Sequence, residues 1–286
     1  MVYANLHLHS TYSDGPFTPM QLVRLGKALG YRALALTDHE TDGGVKEFIT
    51  IAKSEGIDAL VGGEFYANEF GANFHIVGLD YDMDDPAMRA FIKTRCELMK
   101  EYTKKCFEHG VKNGFIQTVS WNDVLEDCND GTWICIEQVA RTLRRKKAMS
   151  PTTPLSELRQ AAFKGAEIER FYPKYPTAKE IINVIRNAGG IAILAHPMRK
   201  MPFIEKLVDY GLNGIEVSHP SLDAETEKLA REAAKEFNLY TSGGTDHTGP
   251  MSGCGGTAAI HTPQGITEEE FFTIKERRLK NNFFGD

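Results

Sequence analysis

Apolar runs that stop abruptly in histidine and carboxylate side chains recur along this chain of 286 residues and restrict its fold more than any other feature. "RALALTDHE" (32–40), "GGIAILAHP" (189–197) and "LYTSGGTDH" (239–247) each read as a buried strand whose C-terminal end turns polar. Val2–Leu8, "DALVGGEFYA" (58–67), "NFHIVGLDY" (73–81) and "GIEVSHP" (214–220) read as further strands. Helical segments lie between several of them. Thr18-Pro19-Met20-Gln21 combines a capping threonine, a proline at the first helical position and a glutamine that closes the box, so a helix runs on to about Gly30. A second helix covers about Gly44–Glu55, Thr177-Ala178-Lys179-Glu180 is another capping box, and helices follow over 202–210 and 223–236. This alternation predicts a largely parallel sheet, with the side chains at the strands' C-terminal ends gathered on one rim.

The rhythm breaks between 88 and 172. Asp85-Pro86 opens a long helix from Ala87 to about Gly110, and further helices follow Ser120, near Glu137–Lys147 and near Ser156–Lys164. "MSPTTPLSE" and "FYPKYPT" are proline-punctuated loops. The expected organisation is therefore an α/β body made of 1–87 and 173–286, with 88–172 as a helical insert.

The net charge of −6 argues against a general nucleic-acid binder, which needs a basic face, though a metal site supplies positive charge locally to a small anionic substrate. No run approaches the roughly 18 apolar residues of a membrane span. Five cysteines, at 96, 106, 128, 135 and 254, match no zinc-ribbon or redox spacing and read as free thiols, so a reducing, cytoplasmic setting is expected. No Gly-rich phosphate loop with a trailing lysine occurs, so kinase and NTPase readings fail, and no GxSxG nucleophile elbow occurs.

In "NLHLHSTYSDG" (5–15), an extended backbone puts His7 and His9 on one face and Leu6 and Leu8 on the other. Two imidazoles on one strand face suggest a shared metal ion. Other ligand-type residues fall at comparable positions: Asp14, Asp38 and His39, Glu64, His75, His196, and Asp246 with His247. Six of the nine histidines lie there, while His109, His219 and His261 lie elsewhere, His219 still near a strand end. Such a set exceeds the needs of one ion. A bridging carboxylate such as Glu64 would let two or three ions sit about 3.5–4 Å apart, as in hydrolytic phosphate chemistry.

"HLHSTYSDG", "TDH", a strand-end glutamate, "AHP" and "GGTDH", in this order, resemble the PHP (polymerase and histidinol phosphatase) family over roughly residues 1–85 and 175–260. The resemblance implies a distorted (β/α)7 barrel holding two or three divalent metals, with manganese, iron or zinc compatible with a mixed nitrogen and oxygen set. Carried over by motif, His7, His9, Glu64 and Asp246 would hold one metal, Glu64, His75 and His196 a second, and Asp14, His39 and His247 a third, with Asp38 behind them. Members with a helical insert at this place are stand-alone phosphoesterases acting on small phosphorylated metabolites. Their usual insert pattern "RPHIAR" reads "CIEQVAR" here. Arg141 keeps its place, but Glu137-Gln138 replace Pro-His, so the substrate of those members does not transfer.

The expected chemistry is hydrolysis of mono- or cyclic phosphate esters, most directly of ribose phosphates or nucleotides, by a hydroxide held between two metals, with release of inorganic phosphate. Glu64, Asp246 and His247 are the candidate catalytic residues. Arg199 lies three residues after His196, and Arg141, Lys174 and His219 join it as candidate substrate contacts. Lys174 is flanked by Tyr172, Pro173 and Tyr175, which suit a ribose or base. Histidinol phosphate hydrolysis is the nearest alternative, and a nucleic-acid-processing module or an amidohydrolase-type C–N hydrolase are alternatives of another class.

Overall fold

The computed structural model describes residues 1–128, 131–246 and 263–281. The elements run β1 (Ala4–Asn5), α1 (Pro19–Ala28), β2 (Ala33–Ala35), α2 (Val45–Glu55), β3 (Asp58–Leu60), β4 (Gly62–Glu69), β5 (Ala72–Leu79), α3 (Pro86–Lys112), α4 (Trp121–Asp127), α5 (Ile136–Arg145), α6 (Leu155–Ala162) and α7 (Ala166–Glu169). They continue with α8 (Ala178–Asn187), β6 (Ile191–Leu194), a 3-10 segment (Met198–Phe203), α9 (Ile204–Asp209), β7 (Gly214–Ser218), α10 (Ala224–Glu236), β8 (Tyr240–Gly243) and α11 (Glu268–Asn281). Both expected capping boxes form, Thr18 with Gln21 and Thr177 with Glu180.

The α/β class holds, but the strands form two sheets. β1, β2 and β3 make a parallel sheet, and β4 to β8 make a second in sequence order. β6, β7 and β8 are parallel, whereas β5 runs antiparallel to both β4 and β6. The expectation of a largely parallel sheet fails at this hairpin for a local reason. Only Phe70 and Gly71 separate β4 from β5, both left-handed (φ 53° and 73°), and a two-residue connection reverses the chain. The stretch read as one strand, "DALVGGEFYA", is also split. β3 belongs to the first sheet and β4 to the second, and the chain passes between them at Val61 and Gly62. Glycine is required there, since a Cβ on Gly62 would lie 2.5 Å from the Leu36 carbonyl oxygen.

Main-chain bonds tie the two sheets together. Leu6 N donates to Gly243 O (2.9 Å) and Asp246 N to His7 O (2.9 Å) on one side. On the other, Glu64 N donates to Asp38 O (3.1 Å) and Glu40 N to Glu64 O (2.8 Å). The backbones of His7, Asp38–Glu40, Glu64 and Asp246 are thus set against one another before any side chain is considered. The helices hold this arrangement. Leu22 and Val23 of α1 and Val45 and Phe48 of α2 pack with Leu34 and Leu36 in one buried cluster. Each large side chain buried there contributes about 1.5–3 kcal/mol and fixes the direction in which Asp38 and His39 leave β2.

Helices α3 to α7 occupy the stretch read as helical, and α7 and α11 are additions to the sequence reading. Cys106 and Phe107 of α3, Val139 and Leu143 of α5 and Leu158 of α6 share one hydrophobic core with Phe65 and Phe74 of the five-stranded sheet. Cys96, Cys106, Cys128 and Cys135 are buried and take part in no disulfide, and Cys254 lies outside the described residues. Among the described residues no helix is long and apolar enough to cross a membrane.

Candidate metal centre

His7 and His9 follow β1, fully buried, and Leu8 between them is pinned by Thr37 N donating to its carbonyl (2.8 Å). Asp38 takes hydrogen bonds from Ser10 N and Ser10 Oγ, both at 2.6 Å, and from Ser13 Oγ. It therefore fastens the loop that carries Asp14 rather than capping a helix. The structure brings the remaining ligand-type residues into overlapping groups whose donor atoms lie within 4.8 Å of one another. His7, His9, Glu64 and Asp246 form the first, with His9 Nε2 2.9 Å from Asp246 Oδ1 and 3.4 Å from Glu64 Oε2. Glu64, His75 and His196 form the second, with Glu64 Oε1 2.9 Å from His75 Nδ1 and 3.2 Å from His196 Nε2. His9, Asp14 and His39 form the third, where His39 Nε2 and Asp14 Oδ2 are 3.4 Å apart. His247, assigned to this third set by resemblance, lies outside the described residues.

Divalent cations fit this donor set. His9 Nδ1 and Asp14 Oδ1 are buried without a hydrogen-bond partner, a rare condition for a folded protein's own polar atoms, and His39 Nδ1 and Glu64 Oε2, though 2.8 Å apart, are not aligned for a hydrogen bond. Ring nitrogens also face one another, His7 Nε2 to His9 Nε2 at 3.2 Å and His196 Nε2 to His75 Nδ1 at 3.1 Å. A cation bound at each pair would take both lone pairs, where otherwise one ring must donate its proton to the other. The electrostatics agree. Burial works against ionising Glu64, yet His75, His7 and His39 outweigh it and hold the carboxyl well below its usual range. Burial likewise opposes charge on His39, but Asp14 and Glu64 raise it well above the ordinary imidazole value. These are groups that exchange protons for metal.

Backbone strain collects here too. Glu40 (φ 56°), His196 (φ 29°) and Asp246 (φ 41°) are non-glycine residues at positive φ, costing ~1–3 kcal/mol each, which persists only where surroundings over-determine it.

The PHP domain family pattern matches residues 5–190. The chain belongs to the PHP family. It is 32% identical to a 5'-3' exoribonuclease of Haemophilus influenzae, covering 85% of this chain and 88% of that one. A 3',5'-nucleoside bisphosphate phosphatase of Chromobacterium violaceum is 31% identical, with 92% of each chain covered. A phosphoribosyl 1,2-cyclic phosphate 1,2-diphosphodiesterase of Eggerthella lenta is 28% identical over 86% of this chain and 94% of its own. A solved chain from Bifidobacterium adolescentis shares the fold, with a TM-score of 0.78, 23% identity, and 96% and 95% of the two chains covered. This PHP chain is a metal-dependent phosphoric ester hydrolase.

The candidate metal groups of the PHP chain lie at the floor of a cavity of about 980 Å³, lined there by Asp14, His39, His75, His196, His219 and Asp246. Tyr66, Tyr102, Trp133, Phe163, Tyr172 and Tyr175 build an aromatic wall, and Glu137 and Arg159 complete it. Tyr66 lies on His39 with ring centroids 4.8 Å apart. His219 joins the floor through Nε2, 3.0 Å from Asp246 Oδ2, while its Nδ1 meets Ser221 Oγ at 2.7 Å.

Three of the expected cationic contacts are placed elsewhere. Arg199 is exposed on the 3-10 segment after Pro197, and Met198 rather than Arg199 lines the cavity. Arg141 donates to the carbonyls of Thr11 (3.3 Å) and Gly15 (2.9 Å), so it braces the Asp14 loop. Lys174 is exposed, and its carbonyl accepts from Arg95. Among the described lining residues the guanidinium belongs to Arg159 of α6, which no motif marks. Glu216 also escapes a motif search. It is buried on β7, takes His7 Nδ1 at 2.7 Å on Oε1 and His196 N at 2.6 Å on Oε2, and so orients one member of each of the first two groups. A charged residue inside the apolar run "GIEV" was the available signal.

Proposed function

We propose that this PHP chain hydrolyses mono- or cyclic phosphate esters of ribonucleotide-like molecules. The observation that carries the reading is the pairing of a histidine–carboxylate floor with an aromatic wall around about 980 Å³, far more room than one phosphate needs. The names of the relatives from Chromobacterium violaceum and Eggerthella lenta, a bisphosphate phosphatase and a cyclic phosphate diesterase, support it. On this reading His7, His9, Glu64 and Asp246 hold one metal, Glu64, His75 and His196 a second, and Asp14 and His39 with His247 a third. Manganese, iron or zinc, when bound, supply an activated water and neutralise charge on the phosphoryl oxygens. His219, fixed between Asp246 and Ser221, is placed to hold a proton for the departing oxygen. Tyr172, Tyr175 and Trp133 receive the sugar and base, and Arg159 receives a second anionic group. The helical stretch 88–172 acts as a cap over the body formed by 1–87 and 173–286. Buried cysteines outside any disulfide favour a cytoplasmic protein.

A second reading, 5'-3' removal of nucleotides from short RNA, is favoured by the relative from Haemophilus influenzae. Product analysis decides between them. The metal-loaded protein is offered a nucleoside 3',5'-bisphosphate, a ribose cyclic phosphate, a 5'-phosphorylated oligoribonucleotide, histidinol phosphate and an amide set. Preferred turnover of the small esters, with little dependence on salt, supports the first reading. Steeply salt-dependent turnover of the oligonucleotide would replace it, and cleavage of amides alone would remove both.

Two substitutions refine it. Arg159→Gln is expected to lower kcat/KM about tenfold on a substrate with two phosphates, the scale of one partly exposed charged hydrogen bond. The same change should leave a single-phosphate substrate nearly unaffected, and equal losses on both would rule out an anion contact. Asp14→Asn is expected to lower the metal content measured after saturation relative to the parent. An unchanged content would dissolve the third group.

A further inference from the structure

Glu40 directly follows His39 and is fully buried, yet lies outside the metal groups. Its carboxylate is used twice, Oε2 accepting from Arg95 Nε and Oε1 from Tyr66 N at 2.9 Å. Its backbone is used twice as well, N donating to Glu64 O at 2.8 Å and the carbonyl accepting from Cys96 Sγ at 3.4 Å. Arg95 enters from α3 and is 4% exposed. Its Nη1 donates to Lys174 O at 2.9 Å, and its guanidinium lies over the Tyr175 ring, 5.3 Å from the centroid. Tyr175 in turn meets Tyr66, and Tyr66 meets both His39 and His75. One ion pair therefore joins the His39 loop, the β4 segment with Glu64 and Tyr66, the long helix α3, and the segment returning from the helical region.

Stability is a poor explanation for such a pair. Buried ion pairs lose most of their mutual attraction to desolvation, and well-packed apolar replacements often match them. Here the backbone of Glu40 is also held in the left-handed region, which disfavours a residue with a Cβ. What the pair supplies is geometry, because a planar guanidinium bonded in two directions fixes its partners' distances and angles.

We propose that Glu40 and Arg95 are positioning residues that lock α3 and the 174–175 segment onto the metal rim, and so set the His39 ring and the Tyr66–Tyr175 wall together. The proposal rests on His39 serving a metal group, as read above. It assigns to α3 a role in metal affinity although α3 contributes no ligand.

The test uses the full chain with both charges removed at once, Glu40→Gln with Arg95→Met, so that no orphan charge stays buried, and Arg95→Lys as the conservative variant. Metal binding to the metal-free protein is measured by calorimetry, without substrate. The metal-free melting temperature is read in parallel, and kcat and KM follow on the best ester. The double variant is expected to melt within about 4 °C of the parent, to lose about tenfold or more in affinity for its weakest metal, and to raise KM more than it lowers kcat. Arg95→Lys should lie between, since an ammonium cannot reproduce the two-directional fork. Parental metal affinity and KM in the double variant would overturn the proposal, whether or not its melting point falls. Should the double variant fail to fold, parental metal affinity in Arg95→Lys would overturn it equally. Because affinity is read without substrate, a wrong substrate class leaves this result standing.

Discussion

Replacing Glu64 with alanine is expected to strip metal from the protein and lower kcat/KM by several kcal/mol, about 10³-fold or more. No other side chain meets so many imidazoles in this structure among the described residues. Oε1 lies 2.9 Å from His75 and 3.2 Å from His196, and Oε2 lies 2.8 Å from His39 and 3.4 Å from both His7 and His9. It is fully buried and belongs to both the first and the second metal group. Its loss removes the negative charge that lets two cations approach each other. The fold should survive, because the backbone of Glu64 keeps its bonds to Asp38 and Glu40 whatever side chain it carries. Glu64→Gln separates charge from volume, since the amide fills the same space without the charge. Elemental analysis, circular dichroism and kinetics on the same preparations check this. Parental metal content with kcat/KM within tenfold of the parent would mean that the carboxylate is a structural partner of the histidines and no more.

The candidate metal rim shows in the sequence because several of its members interrupt or end an apolar run. His7 and His9 alternate with Leu6 and Leu8, and His75 and His196 sit in or just after strands that are otherwise aliphatic. A sequence shows such interruptions wherever a strand carries one polar residue, and chain order places their ends together. What it does not show is which strands run backwards. The β4–β5 reversal rests on Phe70-Gly71; the glycine suits the second position of such a turn, but Phe70 stands where Gly, Asn or Asp is usual, so the turn signature was only half present. Contacts from the helices were hidden for a different reason. Arg95 lies on the buried stripe of α3 with Ile92, Cys96 and Met99, and that stripe alone marks it as a charge with a hidden partner. The partner, Glu40, is 55 residues away, and only the fold brings them together. Arg199 shows the limit of closeness in sequence: three residues after His196 it lies on an exposed 3-10 segment and is not among the residues lining the cavity.

Glu216→Gln tests how far the metal groups depend on residues behind them. A carboxylate only accepts hydrogen bonds, so Glu216 requires a proton on His7 Nδ1, and in the neutral ring that binds metal the Nε2 lone pair then faces Glu64 and Asp246. Its second oxygen accepts from the backbone N–H of His196. An amide cannot do both. The backbone N–H is a fixed donor, so the Gln oxygen must turn to His196 and the amide nitrogen to His7. His7 Nδ1 then has to accept, its proton moves to Nε2, and the nitrogen aimed at the first metal group loses its lone pair. The expected result is a fall of about 10–100-fold in metal affinity, the usual scale for a group that orients a ligating histidine. The two side chains are nearly equal in size, and β7 keeps its main-chain pairing of Glu216 with Ser242, so the melting temperature of the metal-free protein should change little. Activity should also return in part at high metal concentration. That recovery is the sign that separates a tilted equilibrium from a missing ligand, because Glu64→Ala should not recover. Chelator competition gives the affinity, and activity against metal concentration gives the recovery. An affinity equal to the parent's would show that His7 does not bind metal through Nε2, and the first metal group would then have to be rebuilt without it.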